Sequence, residues 1–300
     1  MILAALVSLA SAAPLPPYGY ALPNTAQASD LDAYVITKWA VRTTLYAADT
    51  DTAVFDGPNG GRSTTLAFGD AVRVEEVGPL AQVGDRVDAW YRVSSVRSGW
   101  VFGGDLTPFR WEADMDGDGE KELVTAAWMS AFNVRVRVFE PNLRAGSKMQ
   151  MDVESAGGAY VGQSGGQLTA ELIPANEAGV ALVHLHLGVE ACADFRDDWI
   201  SYTAPAATKI GTEHLALSLS GLVDPPNSST YTVKFSGKRL TAYVTREVAQ
   251  PAPEPDPALT TTPAPNETRT VSPPPKVTMS RYVLRDGVYY AEKDGAVERE

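Results

Sequence analysis

Short apolar runs that alternate with polar residues recur along most of this chain, and they constrain its fold more than any other feature. Clear examples are 71-AVRVEEV-77, 133-NVRVRVFE-140 and 214-HLALSLSGL-222. A period of two places every second side chain on the same face of a strand, so that the apolar set is buried and the polar set meets water. The chain is therefore predicted to be an all-β protein built from antiparallel strands.

Differences in turn chemistry divide these strands into successive units. Between residues 34 and 109 short apolar runs are separated by Gly and Pro turns, which indicates a small barrel. Residues 110–250 contain enough alternating segments to enclose one core, as an antiparallel β-sandwich or as a domain resembling propeller blades. The composition of 251–277, dense in Pro, Thr, Ala and Glu, predicts a linker. An Asp-Gly pair within 278–300 predicts a terminal hairpin, docked on the body or on a partner.

The first residues carry a targeting pattern. Residues 1–13, MILAALVSLASAA, are apolar or small and too short to span a bilayer, which is typical of a secretory signal peptide. An N-terminal membrane anchor is the alternative. Residues 14–33, rich in Pro, Ala, Ser and Asn, follow as a predicted linker. Because no later window reaches 18 apolar residues, we expect a secreted or periplasmic bacterial protein with no integral membrane segment in the mature chain.

The charge balance and the cysteine count narrow the possible partners and sites. The chain has 25 Lys and Arg against 37 Asp and Glu, for a net charge of -12. Nucleic-acid binders carry a basic surplus, so no nucleic-acid partner is expected. A single cysteine, Cys192, excludes an intrachain disulfide and a Cys-based zinc cluster, and it is interpreted as a buried free thiol.

Four segments of the first unit resemble the bacterial SH3-like domain family. They are 53-AVFDGPNGG-61, 69-GDAVRV-74, 89-AWYRV-93 and 99-GWVFGGDL-106. Asp56 stands where the first motif of that family has an arginine. The resemblance implies a non-catalytic targeting module that binds cell-wall peptides or proteins, so the chain is not expected to be an enzyme.

Three aromatic residues of this unit are candidates for the core or for a binding surface. Trp90 and Trp100 each lie in a strand-like run beside Gly or small residues, and we assign Trp100 to the core. An exposed Trp-Tyr pair can stack on sugar or proline rings, because its flat apolar face is rigid and keeps a polar edge. Tyr91, opposite in phase to Trp90, is predicted to line a surface groove. Trp90 and Tyr91 are therefore the candidate ligand-binding residues.

The run 114-DMDGDGEKEL-123 concentrates oxygen ligands at alternate positions. Such groups repel one another unless a cation lies among them, and Ca²⁺ accepts six to eight oxygen ligands. Gly119 permits the sharp turn that such a loop needs. The candidate metal ligands, with Glu120 offering its backbone carbonyl, are Asp114, Asp116, Asp118, Glu120 and Glu122.

The spacing separates this loop from an EF-hand. An EF-hand has a bidentate Glu at the twelfth position, where this chain has Thr125. The segment 114–122 instead resembles the calcium loops of FG-GAP repeats, in which the ninth residue closes the site. A structural Ca²⁺ near the junction of the two units is therefore expected, and an acidic surface turn is the alternative.

Two weaker signals lie in the second unit. His184 and His186 are two residues apart, so on a strand they face the same side, where they could seed a metal site with His214. A simply polar strand face is the alternative interpretation. The acidic residues Asp194, Asp197 and Asp198 are interpreted as solvated charge.

These observations together predict a non-catalytic binding protein of the bacterial cell envelope, which recognises peptidoglycan or a protein partner. One alternative is a cell-wall-turnover enzyme with unrecognised catalytic residues in 110–250. That enzyme should show a concave pocket with converging His, Asp or Glu and perturbed pKa values. Another alternative is a structural subunit of an envelope assembly that docks through 251–300.

Overall fold

The computed structural model describes residues 18–21, 35–84, 86–128, 134–139, 150–154, 166–189, 194–203, 212–223, 228–250, 273–293 and 296–298. These residues form 22 strands in three antiparallel sheets, which confirms the all-β prediction. Within this described part, no helix is long and apolar enough to cross a membrane. The signal peptide predicted for 1–13 and the thiol of Cys192 lie outside the described residues.

Two short strands come first, β1 (Tyr18–Ala21) and β2 (Val35–Ile36). They pair with each other, and β1 also pairs with a strand that begins at Gly166. The prediction of a linker throughout 14–33 is therefore wrong at Tyr18–Ala21, because this segment adds a strand to a distant sheet.

Seven strands of the first unit form one sheet in the order β5-β4-β8-β7-β6-β3-β9. They are β3 (Thr44–Ala47), β4 (Thr52–Phe55), β5 (Arg62–Leu66), β6 (Ala71–Val83), β7 (Arg86–Ser94), β8 (Gly99–Phe102) and β9 (Leu106–Thr107). Leu66 of one edge strand and Leu106 of the other are both fully buried in the same core, so the sheet curves around it. Two register shifts in the long β6–β7 hairpin contribute to this curvature.

A second sheet of four strands follows, in the order β10-β11-β12-β13. Its strands are β10 (Phe109–Ala113), β11 (Glu122–Trp128), β12 (Val134–Phe139) and β13 (Gln150–Glu154). The carboxylate loop 114–122 joins the first two of them. Leu123 packs against the first sheet so closely that a Cβ on Gly69 would lie 2.4 Å from its Cδ2. Arg137 of β12 forms an ion pair with Asp49 of the first unit.

The remaining strands form a curled sheet that also includes β1 and β2. They are β14 (Gly166–Ile173), β15 (Leu182–Val189), β16 (Asp194–Thr203), β17 (Thr212–Leu222), β18 (Ser229–Ser236), β19 (Thr241–Val248), β20 (Lys276–Arg285), β21 (Val288–Lys293) and β22 (Ala296–Glu298). The short helix α1 (Ala175–Ala178) lies between β14 and β15. The predicted 110–250 unit is thus divided between two sheets.

Both faces of the curled sheet are buried around β15 and β16. On one face Val183, Leu185 and Ile200 join the core shared with the first two sheets. On the other face Leu182 and Trp199 join a second core, to which β19, β20 and β21 also contribute. Burial on both sides fixes the register of these strands, since a slip by one residue would exchange the two faces.

The terminal hairpin is present, but it is not a separate tail. Strands β20 and β21 pair across Asp286 and Gly287, whose φ angles of 48° and 78° suit a tight hairpin turn. Strand β20 also pairs with β19, and Tyr282 and Tyr289 are buried in the second core. The hairpin was predicted to dock either on the body or on a partner, and it docks on the body. The prediction of a linker over 251–277 is wrong at Lys276 and Val277, which belong to β20, and residues 251–272 lie outside the described residues.

Candidate functional site

The first sheet carries a groove floored by aromatic rings. Its volume is about 470 Å³, and it is lined by Phe55, Asp56, Glu75, Arg92, Val93, Ser94, Ser98, Gly99 and Trp100. The side chains of Phe55 and Trp100 are half-buried, while those of Asp56 and Arg92 are exposed. We call this feature the Trp100 groove.

The two predicted ligand-binding residues lie beneath this groove rather than in it. Tyr91 is fully buried, and its hydroxyl oxygen accepts a hydrogen bond of 3.0 Å from the backbone N–H of Trp39. Trp90 is 6% exposed and meets Phe55 edge-on, with ring centroids 5.2 Å apart. The prediction that Tyr91 lines a surface groove is wrong, because both faces of β7 are covered when the sheet curves. Trp100, which is predicted to lie in the core, is instead half-buried and lines the groove.

The position of Trp100 depends on Gly78 of β6, which lies in the register shift between Val77 and Leu80. A Cβ on Gly78 would lie 2.5 Å from Cζ3 of Trp100, so the flat ring occupies the space that any larger residue would need. Gly78 is the sequence signal that could have placed this ring. Around it the rim carries both signs of charge: Arg92 pairs with Glu76 at 3.0 Å, and Ser94 donates to Glu75 at 2.5 Å.

The carboxylate loop brings together three of the four side chains predicted as metal ligands. Carboxylate oxygens of Asp114, Asp116 and Glu122 all lie within 4.8 Å of one another. The carboxylate of Asp118 is outside this group and accepts a hydrogen bond of 2.7 Å from the backbone N–H of Glu120. Glu120 was predicted to contribute its backbone carbonyl, and that contribution stays a prediction.

Backbone N–H groups hold this loop in shape. Asp114 accepts from Gly117 at 2.7 Å and from Gly119 at 3.1 Å, and both glycines have positive φ angles. Glu122 is fully buried and accepts from the backbone of Met115 at 2.5 Å. Burial and, secondarily, the neighbouring carboxylates raise the pKa of Asp116. A divalent cation fits this donor set, because it would neutralise carboxylates that otherwise repel one another.

A third site lies on the concave face of the curled sheet. Register pairing places Glu171, His184 and Trp199 in one row across β14, β15 and β16. The adjacent row contains His186 and Asp197. The prediction that His184 and His186 share a face is confirmed. His214, however, pairs with Ser201 at the opposite end of β16, away from this pair.

Asp197 is the centre of a hydrogen-bond cluster. Its Oδ1 lies 2.7 Å from Nε2 of His184 and 2.8 Å from Nδ1 of His186, while its Oδ2 accepts from the Tyr231 hydroxyl at 2.5 Å. Nδ1 of His184 lies 2.9 Å from Oε1 of Glu171. We call these five residues the Asp197 cluster.

Burial and hydrogen bonding oppose each other in setting these protonation states. Burial acts to raise the pKa of Asp197, but the hydrogen bonds from His184, His186 and Tyr231 outweigh it and hold that pKa well below its usual range. Burial likewise acts to lower the pKa of His184, but the bonds to Asp197 and Glu171 raise it overall. The cluster therefore favours an ionised Asp197 beside a protonated His184.

Three members of the cluster, Glu171, His184 and Asp197, form one side of a cleft of about 940 Å³. The opposite wall is formed by alternate residues of β18, namely Tyr231, Val233 and Phe235, and α1 lies at one end. The cleft exists because β17 and β18 pair at a single position, Leu222 with Ser229, and then separate. The Tyr231 hydroxyl bridges the gap, because its one proton is shared between Asp197 Oδ2 at 2.5 Å and the carbonyl oxygen of Leu219 at 2.9 Å.

The sequence did not anticipate this cleft. Asp197 and Asp198 are buried, so their interpretation as solvated charge is wrong: Asp198 accepts from Arg196 and from Ser218 on the other face of the sheet. Among the described residues, the carboxylate loop is the group of His, Cys, Asp and Glu that qualifies as a metal site, and the histidine pair does not.

Comparison of the chain with protein-family models, with curated proteins and with solved structures finds no match.

Proposed function

We propose that this chain is a secreted or periplasmic binding protein of the bacterial cell envelope, which recognises peptidoglycan or a protein partner through the Trp100 groove. The observation that carries the proposal is the half-buried ring of Trp100 beside Phe55, at the floor of a groove of about 470 Å³. Flat, rigid aromatic faces offer a large contact area at a low cost in conformational entropy.

The rim of the groove suits a ligand that carries both signs of charge. Arg92 can bind a carboxylate, while Asp56 and Glu75 can bind an ammonium group. The stem peptides of peptidoglycan offer both groups in one short chain. Complementary charges around an apolar floor favour orientation and specificity over raw affinity.

Binding rather than catalysis is also the better account of the Asp197 cluster. The enzyme alternative predicted converging His, Asp and Glu in a concave pocket, and this cluster has that composition. However, both ring nitrogens of His184 are hydrogen-bonded to carboxylates, so neither is available as a general base. The described hydrogen bond of His186 goes to Asp197, not to a nucleophilic hydroxyl or thiol.

The proposal includes a structural calcium ion at the carboxylate loop. Asp114, Asp116 and Glu122 would hold it, and its two positive charges would offset most of the repulsion among these three carboxylates of the β10–β11 hairpin. Because Leu123 packs on the first sheet, stabilising this hairpin would also stabilise the junction between the two sheets.

Removing calcium with a chelator tests the proposed calcium site at the carboxylate loop directly. We expect EDTA to lower the melting temperature of the full chain and added Ca²⁺ to restore it, with a binding heat in calorimetry. The Asp116→Asn variant should lose most of that response, whereas Asp51→Asn, at an exposed turn, should keep it. An unaltered chain that shows neither heat nor a chelator effect would exclude the calcium site.

The binding proposal is tested by retention of the purified chain on insoluble peptidoglycan, with and without Ca²⁺. We expect the unaltered chain to be retained and the Trp100→Ala variant to be retained more weakly. The matched control is Tyr243→Ala, which removes a half-exposed aromatic side chain from the curled sheet and should leave retention unchanged. Equal retention of Trp100→Ala would contradict the groove, and failure of the unaltered chain to bind would contradict peptidoglycan as the ligand.

A further inference from the structure

The cleft beside the Asp197 cluster has the dimensions of a ligand site. Its volume of about 940 Å³ exceeds that of the Trp100 groove. It lies between β14–β16 and β18, which belong to one sheet that separates along the β17–β18 line. Ligand sites of small molecules and cofactors commonly occupy about 300–1,000 Å³, so the cleft can hold several sugar-sized units.

Aromatic and aliphatic side chains line one wall of the cleft. Tyr231, Val233 and Phe235 of β18 are half-buried and face the cleft, and Ile173 faces them from β14. The rings of Tyr231 and Phe235 are flat apolar surfaces of the kind that is complementary to the C–H faces of sugar rings. At the base the buried Trp199 ring stacks on His184, with ring centroids 4.6 Å apart and planes 2° from parallel, and supports that histidine from below.

The polar residues of the cleft carry charges of both signs. The acidic members are Glu171, Glu177 and Asp197, the basic members are Lys234 and Lys238, and His184 is hydrogen-bonded to both Glu171 and Asp197. Because acidic and basic groups line the same cleft, it does not favour a strongly charged anion or cation. The same groups, together with the amide of Asn176, offer hydrogen-bond donors and acceptors to a neutral polar ligand.

The hydrogen bonds of the Asp197 cluster pre-organise this surface. They fix the Tyr231 ring at one wall and the stacked His184 at the base, so both are oriented before a ligand arrives. Glu171 is different, because its side chain is 67% exposed and can accept further hydrogen bonds. Pre-organised walls reduce the entropic cost of binding.

We propose that this cleft is a second binding site, for a neutral oligosaccharide of N-acetylated hexosamines. The aromatic rings take the faces of the sugars, and Glu171 and Lys234 take their hydroxyl groups. The acetamido group adds a methyl that suits Ile173 and Val233 and an amide that suits Asn176. This site goes beyond the proposed function and lies in a different sheet from the Trp100 groove.

The test is calorimetric titration of the full chain with tetra-N-acetylchitotetraose. We expect saturable binding that weakens roughly five- to tenfold in Phe235→Leu, which keeps an apolar side chain but removes the aromatic face. Glu171→Gln should weaken binding, with only a small fall in the melting temperature, because the Glu171 side chain is 67% exposed although it pairs with His184. Trp100→Ala should bind this probe like the unaltered chain, which separates this site from the groove.

Two results would overturn the proposal. The first is a lack of binding heat with the unaltered chain, and the second is equal affinity for the chain and for Phe235→Leu. Cellotetraose, which lacks acetamido groups, should bind at least several-fold more weakly. Equal binding of the two sugars would refute the assignment to N-acetylated hexosamines.

Discussion

At the scale of single residues, Asp88 is the buried acid with the largest expected influence on stability. It lies in β7, is 7% exposed, and accepts a hydrogen bond of 2.7 Å from the N–H of Ala89. Burial raises its pKa to about 7, against smaller opposing effects of the Ala89 hydrogen bond and Arg86. The folded chain therefore keeps a proton that the unfolded chain releases near pH 4, so this group reduces stability as the pH rises from about 4 to about 7.

The Asp88→Asn variant should remove this pH dependence. At pH 8 we expect the variant to gain roughly 2–4 kcal/mol in the free energy of unfolding relative to the unaltered chain. At pH 3.5, where the carboxyl is protonated in both states, the difference should nearly vanish. Urea unfolding at the two pH values measures this, with Asp51→Asn as an exposed control. A gain of the same size at both pH values would contradict the titration account.

Gly78 gives a second prediction at this scale. A Cβ there would lie 2.5 Å from Trp100 and 3.0 Å from the carbonyl of Trp90, so Gly78→Ala should displace the Trp100 ring. We expect weaker retention on peptidoglycan and a loss of about 1–3 kcal/mol in stability. Gly61→Ala is the matched control, because a Cβ there meets nothing within 4 Å. Unchanged retention by Gly78→Ala would argue against the role of this ring.

At the scale of elements, the alternation of apolar and polar residues predicted which segments form strands and which side chains share a face. It did not predict which strands lie next to one another. It placed His184 and His186 on one side of β15, and the Asp-Gly pair predicted the β20–β21 turn. It could not bring Asp197 to those histidines, because that contact depends on the β15–β16 register. It also could not show that β7 is covered on both faces. Tyr91, predicted to lie at the surface, is therefore buried, and Trp100, predicted to lie in the core, is half-buried.

The Asp197 cluster gives a prediction that belongs to this scale, since it links β14, β15, β16 and β18. Raising the pKa of His184 stabilises the fold fully below about pH 6.5, and this contribution is lost as the pH rises through the raised value. Lowering the pKa of Asp197 stabilises the fold above about pH 4, and this contribution is lost as the pH falls. The acidic groups that face His184 are Glu171 and Asp197, and Asp197 also bonds to His186.

Melting temperatures of the unaltered chain and His184→Gln, measured between pH 4 and pH 9, test this linkage. The destabilisation caused by the substitution should be largest between about pH 4 and pH 6.5 and should shrink at alkaline pH. His214→Gln, in β17 opposite Ser201, is the control and should not share this profile. A difference that stays constant with pH would mean that His184 contributes through packing on Trp199 alone.

At the scale of the whole molecule, the last strands complete the second core. Tyr282, Leu284, Tyr289 and Ala291 are buried there together with Trp199 and Leu217. Tyr289 also donates a hydrogen bond of 2.7 Å to the carbonyl of Ala178 in α1. This segment is therefore part of the folded body and not a docking arm that could be removed without effect. Its composition alone allowed the docking-arm interpretation.

Truncation after residue 250 should consequently unfold or strongly destabilise the curled sheet. Each large buried side chain that is removed costs about 2–5 kcal/mol, and the truncation removes several at once. We expect loss of a cooperative melting transition for this part of the chain, followed by circular dichroism, and rapid proteolysis between 166 and 250. A truncated chain that melts like the full chain would contradict the contribution of β20 and β21 to the core.

The most direct test of the binding account is calorimetric titration of the full chain with a soluble, sugar-free stem peptide of peptidoglycan. The account predicts saturable binding that is lost in Trp100→Ala and unchanged in Phe235→Leu, because the peptide occupies the groove and not the cleft. Binding that survives in Trp100→Ala, or no binding by the unaltered chain, would contradict the assignment of peptide recognition to the Trp100 groove.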